Sequence, residues 1–152
     1  MIMTNLELLQ KTLLFKGSNS ADLEMALGLF QERQIKANAA IFTEKMPAEA
    51  LYIVKSGTVR ITMMAGEGEE MGLLILGAGD FFGELALVQE DVRLVNARAE
   101  TAVDLLMLTR KDFHSLLDLD PRTASHILMT ISRLLAMRVK AYSERLKDLL
   151  FS

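Results

Sequence analysis

The sequence predicts a mainly-β domain, a barrel or jelly roll of short strands with helices at both ends. Three observations predict it. Between Gln34 and Thr109 the chain breaks into short β-branched or apolar runs divided by glycine-bearing turns, a pattern of barrels and jelly rolls. In one run Val59, Ile61 and Met63 alternate with Thr58, Arg60 and Thr62, so one face is expected to be buried. Before and after this region, helix start signals introduce segments with helical apolar spacing.

Taken in order, Thr4-Asn5-Leu6-Glu7 matches a helix capping box, and Leu6, Leu9, Leu13 and Leu14 give that helix a short apolar face. Gly17-Ser18-Asn19-Ser20 breaks it. Ser20 is the expected N-cap of a second helix over about Ala21 to Arg33, with Leu23, Leu27 and Phe30 on one face. Strands are then expected around Ile35 and at Ile41–Thr43, Leu51–Lys55, Thr58–Met63, Met71–Leu76, Val95–Ala99 and Val103–Leu108. The turns between them carry Asn38, Met46-Pro47-Ala48, Ser56-Gly57, Ala65-Gly66-Glu67-Gly68 and Gly77-Ala78-Gly79. Asparagine tolerates a left-handed backbone, so Asn38 can serve where a turn would otherwise need glycine. Thr109-Arg110-Lys111-Asp112 is a further cap signal, and Phe113, Leu116 and Leu117 share one face of the helix behind it. Asp120-Pro121 supplies an N-cap and a first-turn proline for a long helix to about Leu150. Two apolar stripes run along that helix: Leu128, Ile131, Leu135, Val139, Tyr142, Leu146 and Leu149 form one, and Ile127, Leu134 and Ala141 the other. One stripe suffices to cover a small barrel; the second predicts a partner helix, hence a homodimer. The division expected from this is 1–33 helical, 34–109 strands, and 110–152 helical.

The candidate site is Asp80-Phe81-Phe82-Gly83-Glu84-Leu85-Ala86-Leu87, closed by Arg93 nine residues past the glutamate. A carboxylate and a guanidinium amid oily residues are costly to bury unless paired or given a ligand. Gly83 allows close backbone approach. A short helical turn over Gly83–Leu87 would offer free N–H groups to an anion. Arg93 brings a planar fork suited to phosphate, and ionised Glu84 accepts from hydroxyls. Together these describe a sugar-phosphate pocket. The alternative is a structural Glu84–Arg93 ion pair across a loop.

Gly83-Glu84-Leu85-Ala86-Leu87 followed by Arg93 resembles the phosphate-binding cassette of cyclic-nucleotide-binding domains. That family includes the catabolite activator proteins, the regulatory subunits of cAMP-dependent kinase and the cyclic-nucleotide-gated channels. The similarity runs from about Leu14-Phe15 to about Val139. It takes in Ala40-Ile41-Phe42, Leu51-Tyr52-Ile53-Val54, Ser56-Gly57-Thr58-Val59, Gly79 to Glu84 and Asp112-Phe113. The resemblance implies a double-stranded β-helix, a jelly-roll barrel with N-terminal helices and a long C-terminal helix. It implies a cAMP or cGMP sensor without catalysis or cofactor, whose C-terminal helices act as lid and dimer contact and move when ligand binds. It assigns Glu84 to the ribose 2′-hydroxyl and Arg93 to the cyclic phosphate, with Phe82, Gly83, Leu85, Ala86, Leu94 and Val95 lining the cassette. Arg138 lies near the region that contacts the base.

This chain departs from the family at three places. Val92 stands where a proline often precedes the arginine. Leu94 and Val95 replace two small residues, so no hydroxyl meets the phosphate, and the Leu94 side chain is expected to crowd the pocket. Arg138 does not match the threonine–serine pair of catabolite activator proteins. Two other readings follow: an interaction module with the same fold and a decayed pocket, or the effector domain of a transcription regulator. No helix-turn-helix pattern fits Ser143–Ser152, so no DNA-binding domain is expected within these residues.

Composition narrows the remaining classes. The 152 residues suit one domain with a core, and 51% hydrophobic against 24% charged residues is a globular balance. Without cysteine, disulfides, zinc–thiolate sites and cysteine catalysis are excluded. No apolar run approaches a membrane span, and residues 1–10 lack a leader pattern, so a cytoplasmic protein is expected. Residues 121–152 carry six Lys/Arg against two Asp/Glu while the rest carry 11 against 18, so a net −3 hides a basic C-terminal helix. Gly77-Ala78-Gly79 with Gly83 misses the dinucleotide spacing. His114 and His126 lack metal-ligand spacing, and Ser56 lacks a partner base. The ten methionines suit gaps in a core.

Overall fold

The computed structural model describes residues 3–151. Helix α1 (Asn5–Lys11) opens on the expected capping box, with the Thr4 hydroxyl accepting from the Glu7 N–H. The chain then tightens into a 3₁₀ turn at Leu13–Phe15. Because the helix stops at Lys11, the apolar face differs from the expected one: Leu8, Leu9 and Leu14 are buried and Leu13 is exposed. Helix α2 (Ser20–Leu27) is capped by Asn19, whose side chain accepts from the Asp22 N–H, not by Ser20. It ends at Leu27, short of the expected Arg33, because Gln31–Ile35 forms strand β1 and pairs with Val103–Met107. Phe30 still reaches the core, edge-on to Phe15 at 6.0 Å.

The strands continue as β2 (Ala40–Phe42), β3 (Pro47–Ala48), β4 (Ala50–Ser56), β5 (Val59–Met64), β6 (Glu70–Leu76) and β7 (Phe81–Phe82), followed by helix α3 (Leu85–Val88). They end with β8 (Asp91–Val92), β9 (Asn96–Ala99) and β10 (Val103–Thr109), before α4 (Arg110–Leu119) and α5 (Pro121–Phe151). They assemble into two four-stranded antiparallel sheets, β1-β10-β4-β7 and β2-β9-β5-β6, and a ribbon of β3 with β8. This is the expected jelly-roll β-roll with flanking helices, built from sheets that do not close into one hydrogen-bonded barrel among the described residues.

Strands β4 and β10 are covered on both faces, which is why they read as nearly continuous apolar runs. On one side Leu51, Ile53, Leu106 and Leu108 meet Leu8, Phe15, Leu23, Phe113, Leu116 and Ile127 of the helices. On the other Val54, Val103 and Leu105 meet Phe42, Val59, Ile61 and Ala97 of the second sheet. Each of the Val, Leu, Ile and Phe side chains among these contributes about 1.5–3 kcal/mol by its burial. Turns are set locally: Asn38 takes φ +70°, as its residue type predicts, and so does Lys45 at +73°, which nothing in the sequence marks. Strand β5 departs from strict alternation. Thr62 is buried beside Ile61 and Met63 is exposed, and opposite them Leu73 is an extra residue of β6 between the pairs Ile61–Leu74 and Thr62–Gly72. Its partner β6 is an edge strand, and Met71, Leu73, Leu74 and Ile75 are exposed despite their apolar type.

The C-terminal helices start as expected. Thr109 accepts from the Asp112 N–H, and Asp120 accepts from both the N–H and the hydroxyl of Thr123. In α5, Ile127 and Ile131 are buried and Leu128 and Leu135 pack partly on the core. From Met137 onward the helix leaves the sheets, and Val139, Tyr142, Leu146 and Leu149 stand in solvent.

Candidate functional site

The site hangs on the turn between β6 and β7. The Asp80 carboxylate accepts from the Gly77 N–H, and the backbones of Gly79 and Asp80 exchange bonds with Val54. This fastens the turn to β4 and sets Phe82 opposite Tyr52. Phe82 stacks on Tyr52 at 5.3 Å and lies 5.9 Å from Phe42, forming an aromatic floor. Gly83 then takes φ +74°. A Cβ at this position would lie 2.7 Å from an Arg93 Nη atom and 3.2 Å from the Ala50 oxygen, so close packing as well as conformation requires glycine. The expected helical turn forms: Ala86 and Leu87 donate to the carbonyls of Gly83 and Glu84. That leaves the N–H groups of Glu84 and Leu85 at the open end of the turn.

Arg93 arrives from the other side. Its backbone continues the β3–β8 ribbon, donating to Met46 and accepting from Lys45. Its guanidinium is buried, 4.0 Å above the Phe42 ring. One Nη donates to the Ala50 carbonyl at 2.6 Å and the other to the Gly83 carbonyl at 3.3 Å, while the buried Nε has no partner. Burial pulls the guanidinium below its ordinary pKa, and Tyr52, Glu84 and Glu49 oppose that pull.

Glu84 is 5% exposed, and its Oε1 accepts from Nη1 of Arg138 at 2.7 Å. The expected alternative of a Glu84–Arg93 ion pair is therefore corrected: Glu84 pairs with a cation from α5, and Arg93 donates to backbone carbonyls. Arg138 thus belongs to the cluster through the carboxylate. Ala86 is buried beneath the turn, Leu85 is exposed on it, and Val95 is half-buried against the sheet core. Leu94 is 69% exposed, so its side chain does not crowd the pocket as expected.

Reasoning from sequence missed Phe42 and Tyr52 as the floor, the Ala50 carbonyl as an anchor, and Arg110. The Arg110 guanidinium donates to the carbonyls of Ala48 and Ala86 beside the cassette. The aromatic floor had a signal, since Phe42, Tyr52 and Phe82 all sit in strand runs; a backbone acceptor has none. Two open clefts lie elsewhere, one along residues 10–20 and one beside Gln31, Glu49 and Arg110, and neither is lined by Glu84 or Arg93. Among the described residues no cluster of His, Asp and Glu suits a metal ion, and no helix is long and apolar enough to cross a membrane.

The family model of the cyclic nucleotide-binding domain matches residues 32–120. The "Cyclic AMP receptor protein" of Thermus thermophilus is 34% identical over 120 residues, 79% of this chain and 56% of that protein. The cAMP-activated global transcriptional regulator CRP of Salmonella typhimurium is 31% identical over 137 residues, 90% of this chain and 63% of that protein. The chain therefore spans under two thirds of the length of these relatives. The one is named a receptor and the other a regulator, in agreement with the expectation of a non-catalytic chain. Among solved structures, the Thermus thermophilus catabolite activator protein superposes with a TM-score of 0.83 at 33% identity, covering 92% of this chain and 64% of that one. The regulatory domain of Toxoplasma gondii PKA, solved with cAMP, gives 0.66 at 33% identity over 72% of this chain and 42% of that one. The matched span runs from β1 through α4 and contains the whole turn from Asp80 to Arg93, and the chain belongs to the cyclic nucleotide-binding domain family.

Proposed function

We propose that this chain is a regulatory sensor of cAMP or cGMP whose ligand sits between the Gly83–Leu87 turn and Arg93. Glu84 would accept from the ribose hydroxyl. Arg93, with the amides at the open end of the turn and the amide of Leu94, would hold the cyclic phosphate. The carrying observation is the burial of Glu84 and Arg93, 5% and 7% exposed, on one short connection. Charges are seldom placed there without a use. A hydroxyl that reaches Glu84 competes with Arg138 for the carboxylate, and this gives α5 a means to respond to ligand. The three segments 1–33, 34–109 and 110–152 then serve as support, sensor, and lid with dimer contact, although the strands begin at Gln31.

The exposed row Val139, Tyr142, Leu146 and Leu149 supports a homodimer through α5. The named relatives suggest the effector half of a transcription regulator. A second reading, an interaction module with a closed pocket, is favoured by two contacts: Arg93 already donates to Ala50 and Gly83, and Arg138 already covers Glu84.

Calorimetry with cAMP, cGMP and cyclic di-GMP distinguishes them. The last is included because a structural neighbour, 29% identical, is described as a c-di-GMP responsive regulator of Xanthomonas campestris. Binding of a cyclic mononucleotide that weakens by at least about 30-fold in Arg93→Ala supports the sensor, since stranding a buried charge costs roughly 2–5 kcal/mol. Binding untouched by Arg93→Ala refutes the site, and no binding by any of the three supports the second reading.

A further inference from the structure

We propose that Arg110 is a positioning residue that joins the cassette to the C-terminal helices, an inference that rests on the sensor reading above. Helix α3 has four residues, Leu85–Val88, too few to hold its own shape. The carbonyls at its C-terminal end need partners from outside. Arg110 supplies them: its Nη1 lies 3.1 Å from the Ala86 oxygen and 3.4 Å from the Gln89 oxygen. The same nitrogen lies 2.8 Å from the Ala48 oxygen on β3, and the Arg110 backbone N–H donates to Glu49 at 2.8 Å. Three carbonyls thus compete for one Nη with two hydrogens, so the guanidinium can exchange acceptors without leaving its place.

The position of Arg110 in the chain gives this contact its meaning. It is the first residue of α4, and Phe113 and Leu116 of α4 share one core with Leu87 of α3 and with Ala124, Ile127 and Ile131 of α5. A ligand engaging Glu84 and Arg93 moves the turn that begins α3. Through Arg110 that displacement is carried to the start of α4, and α4 packs on α5. This route is separate from the Glu84–Arg138 contact, which reaches α5 directly. Lysine in place of Arg110 keeps the charge, but its ammonium rides on a flexible stem and lacks the planar group that fixes where the Arg110 Nη1 hydrogens point.

The test uses the absence of native cysteine. Spin labels on Lys36→Cys and Ser143→Cys, both exposed, report the distance from the sheets to α5 with and without saturating cAMP. The expected result for Arg110→Gln is cAMP affinity within about tenfold of wild type, with at least half of the ligand-induced distance change lost at saturation. An unchanged distance response at saturation overturns the proposal, because a residue that only supports the fold would leave the response intact once ligand is bound. A second arm needs no ligand. In the free protein, Arg110→Gln should speed hydrogen exchange of the Ala86–Gln89 amides about tenfold and leave Val59–Met64 as in wild type. If wild type binds cGMP and not cAMP, cGMP takes its place in the first arm; if it binds neither, the sensor reading fails and this second arm alone decides the link, where unchanged exchange refutes it. If Arg110→Gln does not fold, Arg110→Lys replaces it in both arms, with a reduced response and faster exchange expected and wild-type behaviour in both counting against the proposal.

Discussion

Replacing Gly83 by alanine tests the packing on which the site depends. Gly83 holds φ +74°, where a residue with a Cβ is destabilised by about 1–2 kcal/mol. That Cβ would stand 2.7 Å from an Arg93 Nη atom, well inside contact distance, so the guanidinium must give way. It has little room to do so. Arg93 is 7% exposed and held at 2.6 Å by the Ala50 carbonyl and at 3.3 Å by the Gly83 carbonyl. A hydrogen bond to a charged group is worth roughly 1.5–3 kcal/mol, and displacement loses at least the weaker of the two. The sum is about 2.5–5 kcal/mol. For a chain of this size that lowers the melting temperature by roughly 5–20 °C. Gly79→Ala is the internal control: Gly79 has φ +91° but nothing within 4 Å of an added methyl, so only the backbone cost of about 1–2 kcal/mol applies. Thermal denaturation by circular dichroism measures both. If the two variants melt together, the methyl of Gly83→Ala is accommodated and the close approach of Arg93 to Gly83 is wrong.

Other variants separate the remaining contacts. Leu94→Ser should tighten cAMP by about fivefold, the worth of one added hydrogen bond of roughly 1 kcal/mol; because Leu94 is exposed, no relief of crowding adds to it, and weaker binding by titration would show that residue 94 does not face the phosphate. Leu146→Asp should shift a micromolar sample from dimer to monomer in light scattering while leaving the melting temperature within about 2 °C, since Leu146 stands in solvent on the free part of α5; monomeric wild type would refute the dimer, and Leu135→Asp is a poorer choice because Leu135 packs partly on the core. Asp120→Ala removes the cap of α5, where the Thr123 hydroxyl bond lowers the carboxyl pKa. With the folded pKa depressed, the stabilisation is present above the unfolded value of about 3.9 and disappears as pH falls through the folded value. The variant should therefore be less stable than wild type at neutral pH by about 1 kcal/mol, and the two should converge only as pH falls below the folded value, which itself lies below about 3.9; a gap that persists in strong acid would show that the charge is not what stabilises the cap.

What could be read from the sequence was what is decided within a few residues. Thr4, Thr109 and Asp120 act as caps because a side-chain oxygen reaches an N–H three residues on. Asn38 takes its left-handed turn for a similarly local reason. Glu84 and Arg93 stood out because charge in an oily stretch needs an explanation, and both are buried. Distant pairing was not readable. Gln31–Arg33 directly follows a helical apolar pattern at Leu23, Leu27 and Phe30, yet its backbone is taken by β10, more than 70 residues away. The apolar run at β6 marked a strand; its place at a sheet edge, with Met71, Leu73, Leu74 and Ile75 exposed, is a property of the topology. The partner of Glu84 is 54 residues further on in α5, and the acceptor for Arg93 is the Ala50 carbonyl, 43 residues back. A carbonyl is present at every residue, so no residue type announces it.

The unused hydrogen-bonding capacity of the cluster bears on whether the pocket has decayed. A structural arginine is normally settled by satisfying its N–H groups on the surrounding backbone. Arg93 commits one bond from each Nη, to Ala50 and Gly83, and leaves the buried Nε without a partner. Glu84, equally buried, uses one oxygen for Arg138, and no other side-chain bond to it occurs among the described residues. Each buried polar group left unsatisfied costs roughly 1–3 kcal/mol. Were the pair only structural, the simplest improvement would be a direct contact between the carboxylate and the guanidinium, which sit on the same connection. Instead each is held on the backbone or by a half-exposed partner, one with spare donors and the other with spare acceptors. Spare donors suit an anion and spare acceptors suit hydroxyls, and a ribose cyclic phosphate presents both on one rigid frame. The cation that must yield for the hydroxyl is Arg138, on the solvent-exposed part of α5 that has already left the sheets.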